Sequence, residues 1–283
     1  MDPTSLESWV GRSETHEDVI TAAPVAALAA LLDRDDPPPK PGDPIPPLAH
    51  WLYFLPVHRQ SRVGPDGHAV RGEFLPPVPL PRRMWAGSRI EFLRPLAVGA
   101  PAKRVSHIAS VKVKEGRSGT LVFVTVRHEI GDAQGLAITD EHDIVYREAT
   151  TPGQGQAVAD PTPARTDEAW SRTIAPDPVL LFRYSAVTFN GHRIHYDQPY
   201  VTQVEGYPGL IVHGPLIATL LVDLLRRNRP GVDVKRYSFR ALRPLFDTAP
   251  FTTCGTPSGA NEAALWTRDA QGAVTMEATA AWR

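Results

Sequence analysis

With 283 residues, 42% of them hydrophobic and 22% charged, the chain is long enough for two domains of about 100–150 residues each. A formal charge of -1 argues against a nucleic-acid surface, and the single cysteine, Cys254, excludes an internal disulfide and reads as a buried thiol in a cytoplasmic protein. The most apolar stretch, 210–225, is broken by His213, Gly214, Thr219 and Asp223, so no membrane-spanning segment is expected.

The first predicted element is a helix over 24–32, an unbroken Ala/Leu/Val run after Pro24, with Glu14, Glu17 and Asp18 upstream to suit its first turn. Prolines then crowd 37–47 and 77–81. The whole of 36–85 has no counterpart later in the chain and reads as an ordered insertion, with Gly64-Pro65-Asp66-Gly67 as a hairpin tip. Strands are expected at 89–96, 102–114, 120–130 and 136–148, with Gly116-Arg117-Ser118-Gly119 as a hairpin connection. Residues 151–174, which open rich in Pro, Gly, Ala and Gln, read as a linker.

In the second half a helix over 215–227 carries Leu216, Leu220, Val222, Leu224 and Leu225, with Pro215 suited to its first turn and Arg226 and Arg227 to its last. Strands follow at 238–245, 250–256, 263–268 and 273–283, with Asp269-Ala270-Gln271-Gly272 as a second hairpin connection. Within the last strand Val274, Met276, Ala278, Ala280 and Trp282 alternate with Thr275, Glu277, Thr279 and Ala281, the period of a half-buried strand. Leu-Arg-Pro-Leu stands at both 93–96 and 242–245, each time after an Ala/Leu-rich helix. This repeat predicts a duplication, 1–150 and 175–283, of α+β type, each unit an antiparallel sheet wrapped around one long central helix. The short connections fit antiparallel neighbours, because parallel ones would need long crossovers.

The densest chemistry is Thr188-Phe189-Asn190-Gly191-His192-Arg193-Ile194-His195-Tyr196-Asp197, followed by His213-Gly214 at the head of the second helix. Anchored on His195, this pattern resembles the signature of MaoC-like, R-specific enoyl-CoA hydratases: Asp-x-Asn-Pro-x-His, a loop, then His-Gly and a long helix. Together with Arg183-Tyr184-Ser185-Ala186-Val187 and Gly206-Tyr207-Pro208-Gly209, it looks closer to the branch of mitochondrial 3-hydroxyacyl-thioester dehydratases and bacterial mesaconyl-CoA or itaconyl-CoA hydratases. In the first half, 82–87 and 92–96 fit the same branch. The resemblance implies a double hot-dog fold with a catalytic C-terminal unit and a degenerate N-terminal one. It further implies an acyl-CoA or acyl-carrier thioester substrate, and reversible addition of water with neither cofactor nor metal. Asn190 stands where the wider family has its catalytic aspartate, and an amide cannot take a proton at neutral pH.

Adding water to an enoyl thioester needs a base for the water, a proton for the α carbon and stabilisation of enolate charge on the thioester oxygen. His195 is expected to act as base and acid in turn, since imidazole titrates near neutrality. Asn190 would orient the water or fix the His195 tautomer, and the Gly214 N–H would meet the thioester oxygen. The expected substrate-binding set is His192, Arg193, Asp197, His213, Tyr184 and Arg89. Among these, Arg193 and Arg89, with Arg82 and Arg83, suit a carboxylate or a carrier phosphate, while Asp197 is the alternative second base.

Three rival readings are a thioesterase, which the same fold hosts, a metal site of His192, His195, Asp197 and His213, and a non-catalytic acyl-thioester-binding protein. Hydration measured against thiol release separates the first, and retained function in His195→Ala would favour the last. Pairing into a homo-oligomer is left open.

Overall fold

The computed structural model describes residues 3–116, 119–148 and 161–283. The tip of the first hairpin, Arg117 and Ser118, and the expected linker as far as residue 160 lie outside the described residues. The first half contains α1 (Pro3–Glu7), β1 (Ser13–Val19), α2 (Ala22–Leu31), β2 (Arg82–Phe92), β3 (Pro101–Gly116), β4 (Gly119–Asp132) and β5 (Gly135–Arg147). The second contains β6 (Trp170–Ile174), α3 (Pro178–Thr188), α4 (Gln198–Gln203), α5 (Gly214–Asn228), β7 (Val234–Ala241), β8 (Phe251–Gly259), β9 (Glu262–Arg268) and β10 (Val274–Trp282).

The expectation of two sheets is corrected to one continuous ten-stranded antiparallel sheet, in the order β1-β3-β4-β5-β2-β7-β10-β9-β8-β6. Each half contributes its strands in the same relative order, as a duplicated chain would. The halves join where β2 pairs with β7, from Gly87↔Arg240 to Glu91↔Arg236. Two edges that would otherwise present unpaired N–H and C=O groups satisfy each other there.

The helices correct the expected duplication further. α5 packs against β6, β8, β9 and β10. It buries Leu216, Ile217, Leu220, Leu221, Leu224 and Leu225, each side chain worth roughly 1.5–3 kcal/mol when withdrawn from water. α2 is not its counterpart. In the first half Ile45 N donates to the Leu96 carbonyl at 2.9 Å and Val98 N to the Asp43 carbonyl at 2.9 Å. In the second, Val212 N donates to Leu245 at 2.9 Å and Asp247 N to Leu210 at 2.9 Å. This match aligns 43–45 with 210–212, so the place of α5 is taken in the first half by a single 3-10 turn, Ala49–Leu52. α2 follows an edge strand as α3 does, and the two pack together. Among the described residues, a long central helix therefore exists in the second unit alone.

Around that stub a polar cluster fills the inner face. The Asp140 carboxylate, 1% exposed, accepts from Trp51 Nε1 at 2.8 Å and lies 3.1 Å from His50 Nε2 and 2.8 Å from His142 Nε2. Burial alone would raise the pKa of Asp140, but the neighbouring His142 and His50 hold it well below the usual carboxylate range.

Several boundaries also differ from expectation. β2 and β7 begin and end earlier than 89–96 and 238–245. In both halves the Leu-Arg amides leave the ladder together: Leu93 N and Arg94 N converge on the Ala137 carbonyl at 2.9 and 3.3 Å, Leu242 N and Arg243 N on Thr275 at 2.9 and 3.1 Å. The proline that follows has no N–H to continue either strand. Glu14, Glu17 and Asp18 belong to β1, paired along β3 from Ser13↔His107 to Val19↔Pro101, and not to a helix start. Alternating polar side chains on an exposed edge strand explain that run better. The end of the expected linker is structured as well, since β6 pairs with β8. Cys254 is buried beside Trp266 and Val274, and burial pushes its thiol up to about 11. No helix among the described residues is long and apolar enough to cross a membrane.

One buried charge ties α5 to the first half. Asp223, 1% exposed, accepts from Arg227 at 2.6 Å, Arg34 at 2.9 Å and Arg172 at 3.3 Å. Asp223→Ala would remove the buried carboxylate that Arg34, Arg172 and Arg227 share, a change expected to cost about 3–5 kcal/mol. The unfolding midpoint followed by circular dichroism should fall by roughly 10 °C.

Candidate active site

The segment carrying His195 is set by caps and turns. The Asp177 side chain caps α3 by accepting from Leu180 N at 2.8 Å. The helix ends at Phe189, whose left-handed backbone (φ 50°) turns the chain so that Asn190 N donates to the Ser185 carbonyl at 2.8 Å. Asn190 Oδ1 accepts from His192 N at 3.0 Å, an Asx turn leading into the 3-10 turn Arg193–His195. This turn then docks on the strand-like segment before α5: Ile211 N donates to the Ile194 carbonyl at 2.9 Å, and His195 Nδ1 donates to the Ile211 carbonyl at 2.7 Å. A carbonyl only accepts, so Nδ1 carries the hydrogen and Nε2 keeps a lone pair. Ile211, and not Asn190, fixes the His195 tautomer. The ring is 7% exposed, and burial pushes its pKa down to about 4, with the Ile211 bond opposing and nearby His68 assisting.

His213 lies stacked against His195, ring centroids 3.6 Å apart at 18°. It is fully buried, its Nε2 lies 2.8 Å from Ser185 Oγ, and burial, then His195 and His192, hold it well below its ordinary pKa. It also supplies the N-cap position of α5, where Ile217 N donates to the His213 carbonyl at 3.0 Å. Pro215 has no N–H, and among the described residues nothing accepts from the Gly214 amide. A Cβ on Gly214 would meet only the Trp85 carbonyl, at 3.8 Å, so the missing side chain leaves that amide open to approach.

Four of the expected substrate contacts are corrected. Tyr184 is 2% exposed and packs on His213 at 5.0 Å, supporting that ring from within the core. The Arg193 guanidinium is committed to Asp197 at 2.7 and 2.9 Å and to the Pro65 carbonyl at 3.0 Å, and it stacks on Tyr200 at 4.1 Å. Asp197 caps α4 by accepting from Tyr200 N at 3.0 Å, so both of its oxygens are occupied and it is not a free base. Arg89 projects from the outer face of the sheet, opposite Ile90 in the core, and pairs with Glu141 at 3.0 Å and with Asp143. Alternation along β2 puts it on the wrong side for this site.

The insertion contributes what the sequence did not reveal. Gly64 to Gly67 form the expected turn, Gly67 N donating to Gly64 O at 3.0 Å. The turn seats on the Asn190–His192 loop so closely that a Cβ on Gly67 would collide with the Gly191 carbonyl. Asp66 O accepts from Arg193 N at 2.9 Å. His68 Nδ1 lies 3.0 Å from Asp66 Oδ2, and the His68 ring packs 3.9 Å from His192, which meets His195 edge-on at 5.5 Å. His68, His192, His195 and His213 thus form a row of imidazoles.

Potential ligand atoms of Asp66, His68 and His192 lie within 4.8 Å of one another, but Asp66 and His68 already bond to each other. Among the described residues, the set His192, His195, Asp197 and His213 does not come together as ligand atoms within 4.8 Å of one another, and both Asp197 oxygens are already held by Arg193 and Tyr200 N. A cleft of about 930 Å³ lies elsewhere, along Leu28, Arg34, Arg226 and Lys235.

Residues 48–247 match the family profile described as hydroxyacyl-thioester dehydratase type 2. The chain is 48% identical over 284 residues to the mesaconyl-C(4)-CoA hydratase of Chloroflexus aurantiacus, covering 99% of this chain and 98% of that one. A solved MaoC-like dehydratase superposes with a TM-score of 0.73 at 16% identity, over 98% of this chain and 99% of its own. A Mycobacterium tuberculosis protein described as having a double hotdog fold gives 0.57 at 11% identity, over 97% and 96%. These structural likenesses establish the hot-dog fold.

The buried, neutral imidazoles make stability depend on acid. An unfolded histidine binds a proton near pH 6.5, whereas His195 resists until about 4 and His192 and His213 are also shifted down. The unfolded chain then binds more protons, so stability is full above about pH 6.5 and falls as the pH drops toward 4. Urea unfolding at pH 7 and pH 5 should show the loss, and His195→Gln should reduce it by about 2 kcal/mol.

Proposed function

Because this chain belongs to the hydroxyacyl-thioester dehydratase type 2 family, we propose that it adds water reversibly across the double bond of a 2-enoyl thioester, giving the R-3-hydroxyacyl product. The observation that carries this reading is His195: its Nδ1–H is spent on the Ile211 carbonyl, so its other nitrogen is an acceptor. It lies in the segment stacked on the N-cap of α5, whose first amide is unbonded. Such an amide stabilises enolate charge on a thioester oxygen, and losing one such donor typically costs about 3–4 kcal/mol in the transition state. His195 Nε2 accepts a hydrogen of the attacking water and holds its oxygen toward the β carbon. Asn190 shapes the loop through its Asx turn, which leaves its amide nitrogen for the water or the acyl group.

The substrate we favour is the CoA thioester of a short unsaturated diacid, mesaconyl-CoA or itaconyl-CoA, on the strength of the 48% identity to the Chloroflexus aurantiacus enzyme. The first half serves as a partner unit that walls the acyl site, its insertion at 36–85 pressed against the His192 loop. Residues 175–283 hold the reacting groups just described.

Steady-state hydration of crotonyl-, mesaconyl-, itaconyl- and longer enoyl-CoA, run beside a thiol-release assay, tests the proposal. Hydration without thiol release is expected, fastest on a diacid thioester. His195→Ala should lower kcat at least about a hundredfold, and Asn190→Ala about tenfold or more. Rapid thiol release with no hydration would replace the reading by a thioesterase.

A further inference from the structure

A water that attacks carbon must turn a lone pair toward it, so both of its hydrogens need acceptors. His195 Nε2 supplies one. Asn190 is a poor second, because its oxygen already accepts from His192 N at 3.0 Å and an amide does not take up a proton. Asp197, the other carboxylate of this segment, is held by Arg193 and Tyr200 N.

The row of imidazoles ends in a ring from the other half of the chain. His68 Nδ1 donates to Asp66 Oδ2 at 3.0 Å, which leaves Nε2 as an acceptor, the same tautomer as His195. The other Asp66 oxygen accepts from His68 N at 3.0 Å, and the Asp66 carbonyl accepts from Arg193 N at 2.9 Å, so the pair is fixed to the loop it serves. Of the four rings in the row, His68 is the one bonded to a carboxylate, which stabilises its imidazolium form. The partner of His195 is a neutral carbonyl.

We propose that the Asp66–His68 pair is the second acid/base group of this site, and that His68 carries the proton that moves from water to the α carbon. The proposal rests on the hydratase reading above and deepens it. His68 Nε2 takes one proton from water as the water oxygen bonds the β carbon, and the π electrons shift to the thioester oxygen as an enolate held by the Gly214 N–H. The enolate pair then forms the new C–H bond with the proton returned by the His68 imidazolium. The second hydrogen of the water, held by His195, stays on the product hydroxyl. His68 ends neutral, so the cycle balances.

The groups facing His68 are Asp66 and Arg71 on its own hairpin, Arg83 from β2, and His192 and His195 across the loop. Burial, then Arg83, lower its pKa, while Asp66 opposes them. His68 is therefore neutral at pH 7 and ready to accept.

The test is hydration of mesaconyl-CoA or crotonyl-CoA by the full chain and its His68→Ala, His68→Gln and Asp66→Asn variants, as a function of pH. His68→Ala should lose about 100–1,000-fold in kcat with KM within about threefold, and added imidazole should restore part of the rate. Asp66→Asn keeps the hydrogen bond but not the charge. It should lose about tenfold or more, and its acid limb should move to lower pH. In His68→Ala the limb belongs to His195, whose pKa is about 4. Variants within about twofold of wild type with unmoved pH profiles would overturn the proposal, as would a loss in His68→Ala and His68→Gln that tracks a lower melting temperature and resists imidazole while Asp66→Asn stays active. Activity lost to a chelator and restored by Zn²⁺ would overturn it also. A wild-type chain inert toward every enoyl thioester would instead remove the hydratase reading, while an active wild type with inactive His195→Ala and active His68→Ala removes only this inference.

Discussion

The antiparallel seam between β2 and β7 is the interaction on which the other features hang. It turns two five-stranded curls into one sheet, and it carries the Trp85 carbonyl to the first turn of α5. The 62–70 hairpin, which precedes β2, seats on the Asn190–His192 loop between α3 and α4. The groups of the candidate site come from places far apart in sequence: His68, the 190–195 segment and the 213–214 helix start. Main-chain bonds hold them together, and these are specified by register more than by side-chain identity.

Around that frame the site is kept dry. His195, His213 and Tyr184 sit almost wholly out of solvent, and three of the imidazoles, His195, His213 and His68, each have one defined partner, Ile211, Ser185 and Asp66 in turn. Burial favours the uncharged form, so a stack of neutral rings is stable where a stack of cations would repel. The charged groups are routed elsewhere. Asp223 gathers three arginines at the foot of α5, Asp140 holds the cluster around the 3-10 stub, and Arg193 is used up in clamping the insertion. Residues whose type suggested a ligand therefore turned out to be architectural, because each charge in a half-buried position already had its opposite.

Local pattern and chemistry made much of this legible. Alternation placed β10, the apolar run with Pro215 and the closing arginines placed α5, and the spacing from Asn190 to His195 and on to His213 picked out a segment whose imidazoles meet in the fold. What failed were inferences about neighbours. The repeated Leu-Arg-Pro-Leu motif marked a true equivalence, but the helix before it did not, since hydrogen bonds align the stub at Ala49–Leu52 with α5. The two units were read as separate sheets when they form one. Asp66 was read only as part of a turn and His68 was not singled out, because a contact across more than a hundred residues has no periodicity to betray it. Arg89 was assigned a role from its charge alone, although its odd position in β2 already set it on the outer face.

The stub in the first unit makes the two halves unequal partners. Among the described residues, one has a 3-10 turn and a long proline-rich excursion where the other has a 15-residue rod. What the first half lacks at its centre it supplies at its border, as the excursion that reaches across to the Asn190–His192 loop. A change at Gly67 or along β2 is therefore felt in the opposite half.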